Sequence, residues 1–431
     1  MTNRTCRDRL EQALARIDDP GGEGARACLT VYPAAARAAA DAADARARAG
    51  IALGPLDGAI VSLKDLFDVA GEVTRAGSRV LAEEEKAASD DAAVVRRLRA
   101  AGAVIVAKTN MTEFAFSGVG ANPHFGTPGN PADRARVPGG SSSGGAVAVA
   151  DGMCDIAIGT DTGGSTRIPA ALCGIVGFKP TKRRVPTEGC FPLSYTLDSV
   201  GPMARTVADC ARADVVMADE EPCRLEPAPV SGLRLGIVQG LPLEGLDASV
   251  TARFADSTAR LAKAGARLSE ETISLLGDML EVNAKGGFAP PEAYAIHGAR
   301  LARRGDDVDP NVRARIERGR EMSASDYVEL TRARARLVRA LDHRLADLDA
   351  LVVPTTPIVA PKMSEVVTPD TFRAKNFLLL RNTAMVNFFD LCAISLPLPG
   401  GLPAGAMIIA RNGYDRHLFR IALAVEKLVS T

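Results

Sequence analysis

The sequence of 431 residues lacks several features that define whole classes of protein. It has no apolar run of about 18 residues, which a membrane-spanning helix needs. Its first residues, MTNRTCRDRLEQ, lack the apolar segment of a secretory signal. Neither sign of charge is in excess, because 52 Lys and Arg balance 52 Asp and Glu. We therefore expect a cytoplasmic protein with neither a membrane nor a nucleic-acid partner.

Paired cysteines and catalytic histidines are also missing. The eight cysteines are scattered without a Cys-x-x-Cys pair, which argues against a zinc site or a disulfide framework and predicts free, mostly buried thiols. None of the four histidines stands beside a Ser or Cys in a nucleophile motif, which disfavours a Ser/His/Asp hydrolase. We expect no metal and no cofactor.

What is present is the composition of a globular enzyme, with 47% hydrophobic and 24% charged residues. The apolar run 60 to 63 predicts a strand that ends at Lys64, and residues 91 to 101 predict a helix followed by the strand AVIVAK (103 to 108). Residues 348 to 357 predict another buried strand, whereas residues 1 to 50 are expected to be helical. Alternating strands and helices predict an α/β sheet.

Three segments carry candidate chemistry: VSLKDLFDVAG with Lys64, VPGGSSSGGAVAVA with Ser141 to Ser143, and IGTDTGGSTRIP with Ser165. Each alone has an ordinary explanation as a solvated lysine, a flexible loop or a tight turn. A serine hydroxyl becomes a nucleophile when an adjacent base removes its proton, and lysine can be that base where no histidine is available. Such a lysine must be neutral, which burial favours by lowering its pKa.

Together and in this order, the three segments resemble the amidase signature family. The resemblance continues through KTNMTEF (108 to 114), NPHFGTPGNP (122 to 131), LDSVGPMART (197 to 206), PTTP (354 to 357) and RNTAMVNFFDLCAISLP (381 to 397). It implies one α/β domain over residues 1–431, with a large mixed central β-sheet covered by helices on both faces. Within it we expect a helical lead-in (1–50), a signature core with the catalytic residues (55–215) and a remainder with substrate-pocket helices (216–431).

The resemblance also implies roles for individual residues. Ser165 matches the acylated nucleophile, Ser141 the bridging serine that the family holds on a cis peptide, and Lys64 the base. The implied reaction is hydrolysis of a small carboxamide to a carboxylate and ammonia or an amine, through a seryl acyl-enzyme. The family is commonly homodimeric, so the resemblance also allows a homodimer.

The glycine-rich loop before the nucleophile matches the oxyanion hole, which contacts the substrate through backbone N–H groups of Thr162, Gly163 and Gly164. The flanking Asp161 and Arg167 are expected to brace this loop as an ion pair. The chain departs from the family pattern in two places. Thr166 stands where an aliphatic side chain is more common, and GLPAGAMIIA (401 to 410) lacks the glutamine that many relatives carry.

Several alternatives stay open at this point. Within the family, the chain could instead be a carboxybiuret or allophanate type of hydrolase, or the amidase subunit of a transfer-RNA amidotransferase, which needs partner subunits. A nucleotide-binding module would use TDTGGST as a phosphate loop, but the motif GxxxxGK[ST] is absent. A catalytically silent scaffold is disfavoured because Lys64, Ser141 and Ser165 are all present together.

Overall fold

The strands in residues 4–430, the part of the chain that the computed structural model describes, join into one sheet. Eleven strands form it: Cys28–Val31 (β1), Ile60–Lys64 (β2), Val104–Thr109 (β3), Ile156–Asp161 (β4), Val176–Lys179 (β5), Ser199–Ala204 (β6), Arg234–Val238 (β7), Arg267–Glu271 (β8), Ala350–Pro354 (β9), Cys392–Leu398 (β10) and Ala404–Ala410 (β11). Their order across the sheet is β1-β3-β2-β4-β6-β5-β10-β11-β9-β7-β8. Both parallel and antiparallel neighbours occur, which confirms the prediction of a large mixed sheet.

Helices pack on this sheet throughout residues 4–430. They are Cys6–Ile17 (α1), Gly24–Ala27 (α2), Pro33–Arg48 (α3), Arg79–Glu84 (α4), Ala93–Ala100 (α5), Ser143–Ala150 (α6), Arg167–Cys173 (α7), Val207–Met217 (α8), Ala248–Lys263 (α9), Leu275–Val282 (α10), Ala289–Arg304 (α11), Pro310–Glu317 (α12), Ala324–Arg344 (α13), Pro369–Phe388 (α14) and Asp415–Ser430 (α15). Within the described range, no helix is both long enough and apolar enough to cross a membrane.

The core divides into two layers because successive strand residues point to opposite faces of the sheet. In β9, Val352 packs into one cluster with residues of α5, α8 and α15, whereas its neighbour Val353 packs into another with residues of α10, α13 and α14. In β4, Ile158 and Ala157 divide in the same way, and Ala157 joins residues of α1, α3 and α6. The prediction that helices cover both faces is therefore confirmed.

The sequence-based boundaries agree with the structure at the strands that matter for the site. Lys64 is the last residue of β2, and AVIVAK corresponds to β3. The stretch 1 to 50 differs from the expected all-helical lead-in, because the short strand β1 lies between α2 and α3. It pairs antiparallel with β3 at the edge of the sheet, and hydrogen bonds with the β3 backbone stabilise it. A strand of this length is too short to show a clear alternation of apolar and polar residues, so the sequence did not predict it.

The topology brings the three candidate segments to one edge of the sheet. Strands β2 and β4 are parallel neighbours, so their carboxyl ends, Lys64 and Asp161, lie at the same edge. Helix α6 follows the serine-rich loop and is buried along seven of its eight residues. Gly144 allows this burial, since a Cβ there would lie 2.4 Å from the carbonyl oxygen of Ala27 and 2.6 Å from the amide nitrogen of Asn110.

Candidate active site

Lys64 lies at the end of β2 with only 1% of its surface exposed. Its Nζ is 2.7 Å from the Oγ of Ser141 and 2.9 Å from the Oγ1 of Thr160 in β4. Burial lowers the pKa of Lys64 to about 7, although the negative charges of Asp198 and Asp161 act in the opposite direction. A substantial fraction of Lys64 is therefore neutral at physiological pH, as the sequence analysis required of a lysine base.

The three serines before and at the start of α6 are buried but differ in their contacts. Ser141 follows a cis peptide bond with Gly140, and its Oγ contacts Lys64. The hydroxyls of Ser142 and Ser143 have no hydrogen-bond partner within residues 4–430. The backbone N–H of Ser142 donates to the carbonyl oxygen of Ser165 at 3.4 Å, which joins the serine-rich loop to the nucleophile loop. Of the three serines, Ser141 is the one whose hydroxyl contacts Lys64.

Ser165 lies in the loop between β4 and α7, and the buried carboxylate of Asp161 organises this loop. That carboxylate accepts hydrogen bonds from the N–H groups of Gly164 (2.8 Å) and Thr166 (3.1 Å) and from the hydroxyl of Thr166 (2.9 Å). Thr166, which stands where an aliphatic side chain is more common in the family, therefore has a structural role: its hydroxyl donates a hydrogen bond to the carboxylate that organises the loop.

Asp161 and Arg167 form the expected ion pair, with Arg167 Nη2 2.8 Å from Asp161 Oδ1 and both side chains fully buried. Burial alone would raise the pKa of Asp161, but the charge and hydrogen bonds of Arg167 and a hydrogen bond from Asn387 outweigh it and lower that pKa. The ion pair is confirmed, and its carboxylate stays charged inside the protein.

Helix α14 supports the nucleophile loop from the other side. The Nδ2 of Asn387 donates to Asp161 Oδ1 at 2.9 Å, and its Oδ1 accepts from Arg167 at 2.7 Å. The hydroxyl of Thr383 donates to the carbonyl oxygen of Gly163 at 2.6 Å. Both α14 residues belong to the motif RNTAMVNFFDLCAISLP, but the sequence alone did not indicate their roles.

The backbone N–H groups of the glycine-rich loop differ in availability. That of Gly164 already donates to Asp161, whereas no acceptor for those of Thr162 and Gly163 is found within residues 4–430. Gly164 has φ +136°, and a Cβ there would lie 2.2 Å from Thr383 Oγ1, so this position requires glycine. The Thr162 hydroxyl donates to Asp198 at 2.5 Å, which fixes the start of the loop. Asp198 belongs to the motif LDSVGPMART, but the sequence alone did not indicate this contact.

Ser165 opens into a cavity of about 260 Å³. Thr162 and Gly163 also line it, so the available N–H groups and the predicted nucleophile Ser165 border the same cavity. Much of the remaining wall is apolar and comes from α10, α14 and the segment between them, including Met279, Phe288 and Phe388. Such a concave, mostly apolar space with a few polar groups is typical of a site for a small molecule.

Other candidate groups lie apart from this arrangement. His124 is 3.0 Å from Glu113, which raises the pKa of His124, and neither residue lines the cavity of Ser165. The eight cysteines are free, and six of them are buried, as expected. Among residues 4–430, no group of three or more His, Cys, Asp or Glu side chains is arranged to hold a metal ion.

Comparison with known proteins connects this arrangement to a family. The family model described as Amidase matches residues 9–419. The chain belongs to the amidase family. Its members act on amide C–N bonds, so the chain is an enzyme of this class, and the resemblance found in the sequence is confirmed.

Individual members of the amidase family extend the comparison over nearly the whole chain. A crystal structure of an amidase superposes with a TM-score of 0.88 and 34% identity, covering 99% of this chain and 97% of that chain. A 2-amino-5-chloromuconic acid deaminase of Comamonas testosteroni is 36% identical over 92% of this chain and 87% of its own length. A glutamyl-tRNA(Gln) amidotransferase subunit of Chloroflexus aggregans is 36% identical over 98% of this chain and 93% of its own length.

Proposed function

We propose that the protein hydrolyses a small carboxamide to a carboxylate and ammonia or an amine through an acyl-enzyme on Ser165. The observation that carries this proposal is the 2.7 Å contact between the buried Nζ of Lys64 and the Oγ of Ser141, beside the nucleophile loop. No histidine or metal is needed in this mechanism, because a lysine with a pKa of about 7 can accept a proton near neutral pH.

The proposed first step forms the acyl-enzyme. The Oγ of Ser165 attacks the amide carbon, its proton passes to Ser141, and the proton of Ser141 passes to the neutral Nζ of Lys64. The carbonyl oxygen becomes an oxyanion, which Thr162 and Gly163 bind through their free N–H groups; Gly164, already bonded to Asp161, contributes chiefly to the shape of the loop. When the C–N bond breaks, the leaving nitrogen takes up the proton from Lys64 by way of Ser141.

The second step restores the enzyme. A water molecule attacks the ester carbon, gives its proton to Lys64 through Ser141, and the Ser165–carbon bond breaks as the serine is protonated again. The products are the carboxylate and the free serine. All groups in this cycle come from residues 55–215, and much of the cavity wall comes from residues 216–431, which supports the expected division of the domain.

Trapping of the acyl group tests the proposal. With a panel of small amides, hydroxylamine should divert the acyl group from water and yield a hydroxamate, and a fluorophosphonate should label Ser165. Ser165→Ala should abolish both results while its unfolding temperature stays close to that of the unsubstituted protein. Full amide hydrolysis by folded Ser165→Ala would contradict the assignment of the nucleophile.

A transfer-RNA amidotransferase component is a second candidate, favoured by the 36% identity over 98% of this chain to the glutamyl-tRNA(Gln) amidotransferase subunit of Chloroflexus aggregans. A carboxybiuret or allophanate type of hydrolase is the other alternative within the family. Measuring ammonia release by the purified chain alone from glutamine, biuret derivatives and simple amides separates the three. Size-exclusion chromatography with light scattering on the same sample tests for a homodimer.

A further inference from the structure

The cavity that contains Ser165 is lined by basic side chains but, within residues 4–430, by no acidic side chain. Two arginines line it, Arg315 of α12 and Arg381 of α14, and no aspartate or glutamate lines it within the described residues. Elsewhere in the protein, buried arginines are held by carboxylates, as Arg167 is by Asp161 and Arg184 is by Asp214. The contrast makes the two cavity arginines unusual in this chain.

The two arginines differ in how their donors are used. Arg381 donates through Nη2 to the carbonyl oxygen of Glu244 at 2.6 Å and through Nε to Asn382 at 3.3 Å. The side chain of Arg315 has no hydrogen bond and no ion pair within residues 4–430; its guanidinium carbon lies 4.5 Å from the centre of the Phe116 ring. Arg315 is therefore the cation whose donors are free.

The contact with Phe116 places the guanidinium of Arg315 beside a ring that lines the cavity of Ser165. Phe116 lines that cavity and does not line the adjoining cavity of about 430 Å³ that shares Arg315. Stacking on an aromatic ring occupies the face of a guanidinium and leaves the N–H groups along its edge to donate in plane. Burial and the nearby Arg318 lower the pKa of Arg315 to about 10, which leaves it charged at neutral pH.

We propose that Arg315 binds a carboxylate of the substrate, so that the preferred substrates are small amides that carry a second, anionic group. This inference rests on the proposed function, since it places the anion in the same cavity as the acyl group. A partly buried guanidinium without an acceptor is unfavourable, and a carboxylate would satisfy it through paired, charge-assisted hydrogen bonds. The apolar wall would then contact the carbon chain between the carboxylate and the amide.

Matched substrates test this specificity. The probes are the half-amides of the C3 to C6 dicarboxylic acids, each compared with the neutral primary amide of the same chain length. We expect kcat/KM to favour at least one half-amide by about 30-fold, the size of a hydrogen-bonded charge pair. Arg315→Gln should remove most of this preference and Arg315→Lys should keep part of it. Arg318→Gln, which changes a neighbouring arginine that does not line this cavity, should keep the preference in full.

A second measurement does not depend on amide turnover. The matching dicarboxylates, which contain no amide, should slow fluorophosphonate labelling of Ser165 in the unsubstituted protein and in Arg318→Gln, and should protect Arg315→Gln at least tenfold less well. The labelling rate without ligand shows whether each variant is folded. If Arg315→Gln is labelled at the normal rate and the dicarboxylates protect it as well as they protect the unsubstituted protein, the role of Arg315 is overturned but the proposed function is not. Failure to label Ser165 in the unsubstituted protein would overturn the proposed function and this inference together.

Discussion

At the scale of single residues, the two adjacent serines Ser141 and Ser142 provide a matched pair. Both are buried and chemically alike, but Ser141 contacts Lys64 whereas the hydroxyl of Ser142 has no partner within residues 4–430. Removing the Ser142 hydroxyl therefore breaks no hydrogen bond that the structure describes. Comparing the activities of the two alanine variants therefore separates the loss of the proposed proton path from the general effect of an alanine in this loop.

We predict that Ser141→Ala lowers kcat by 10²- to 10⁴-fold, the usual contribution of a positioned proton-transfer group. Ser142→Ala should change kcat less than tenfold. Steady-state kinetics, with circular dichroism to establish that both variants fold, measure the difference. A greater loss in Ser142→Ala would mean that the register of the serine-rich loop against Lys64 is wrong.

Lys64 allows a test that separates its charge from its lone pair. The pKa of about 7 predicts that kcat/KM rises with pH, reaches half its maximum near pH 7 and then levels off as the lysine loses its proton. Lys64→Arg keeps the charge but cannot deprotonate, so it should be as inactive as Lys64→Ala. Appreciable turnover by folded Lys64→Arg would require another base, and His124 would be examined first.

At the scale of secondary-structure elements, helices α7 and α14 hold the nucleophile loop through one buried charge cluster. Asp161, Arg167 and Asn387 form its centre, and Thr383 connects it to the oxyanion segment. The contacts from α14 are not local, since Asn387 lies 226 positions after Asp161 in the chain. The geometry of the loop therefore depends on the docking of α14.

We predict that Arg167→Met lowers the free energy of unfolding by about 3–5 kcal/mol, because it leaves the Asp161 carboxylate buried without its partner. The matched control is Arg373→Met, which breaks an ion pair with Asp370 whose side chains are 75% and 85% exposed and should change stability by less than about 1 kcal/mol. Urea unfolding followed by circular dichroism measures both. Equal, small effects would show that the buried pair does not stabilise the fold.

The elements also show how far the sequence could predict the structure. The strand ending at Lys64 was predictable because an apolar run and a following turn are local signals, and the ion pair Asp161–Arg167 was predictable because its members lie close together in the chain. The roles of Thr383 and Asn387 were not, because their partners lie at least 220 positions away. Arg315 gave no sequence signal among the many arginines of its region, since its distinction is that its guanidinium has no hydrogen bond or ion pair within residues 4–430.

At the scale of the whole molecule, the candidate catalytic residues and much of the cavity wall come from different parts of the chain. Strands β2 and β4 carry Lys64 and the loop that contains Ser165, whereas α10, α12 and α14 supply much of the wall of the cavity. Because α10 and α12 contribute to the wall but not to these two strands, residues of the wall can change with the substrate while the sheet keeps Lys64 and Ser165 in place.

The burial of Lys64 has a thermodynamic consequence for the entire fold. Its pKa is about 7 in the folded protein against an ordinary value of 10.5, so the unfolded chain binds the proton more tightly. The unfolded state holds more protons between these two values, and the free energy of unfolding should therefore rise with pH there, by up to about 1.4 kcal/mol per unit. At and below pH 7 the same lysine destabilises the fold by as much as about 5 kcal/mol, an upper bound.

Lys64→Met should remove this part of the pH dependence and be the more stable protein near pH 7, with the difference shrinking as the pH approaches about 9.5. Paired urea titrations of the two proteins across this range measure it. An equal slope in both proteins would show that Lys64 keeps an ordinary affinity for protons in the folded state. The expected outcome is a trade-off between activity and stability located in one side chain: selection for folding alone would replace the lysine that the proposed mechanism uses as its base.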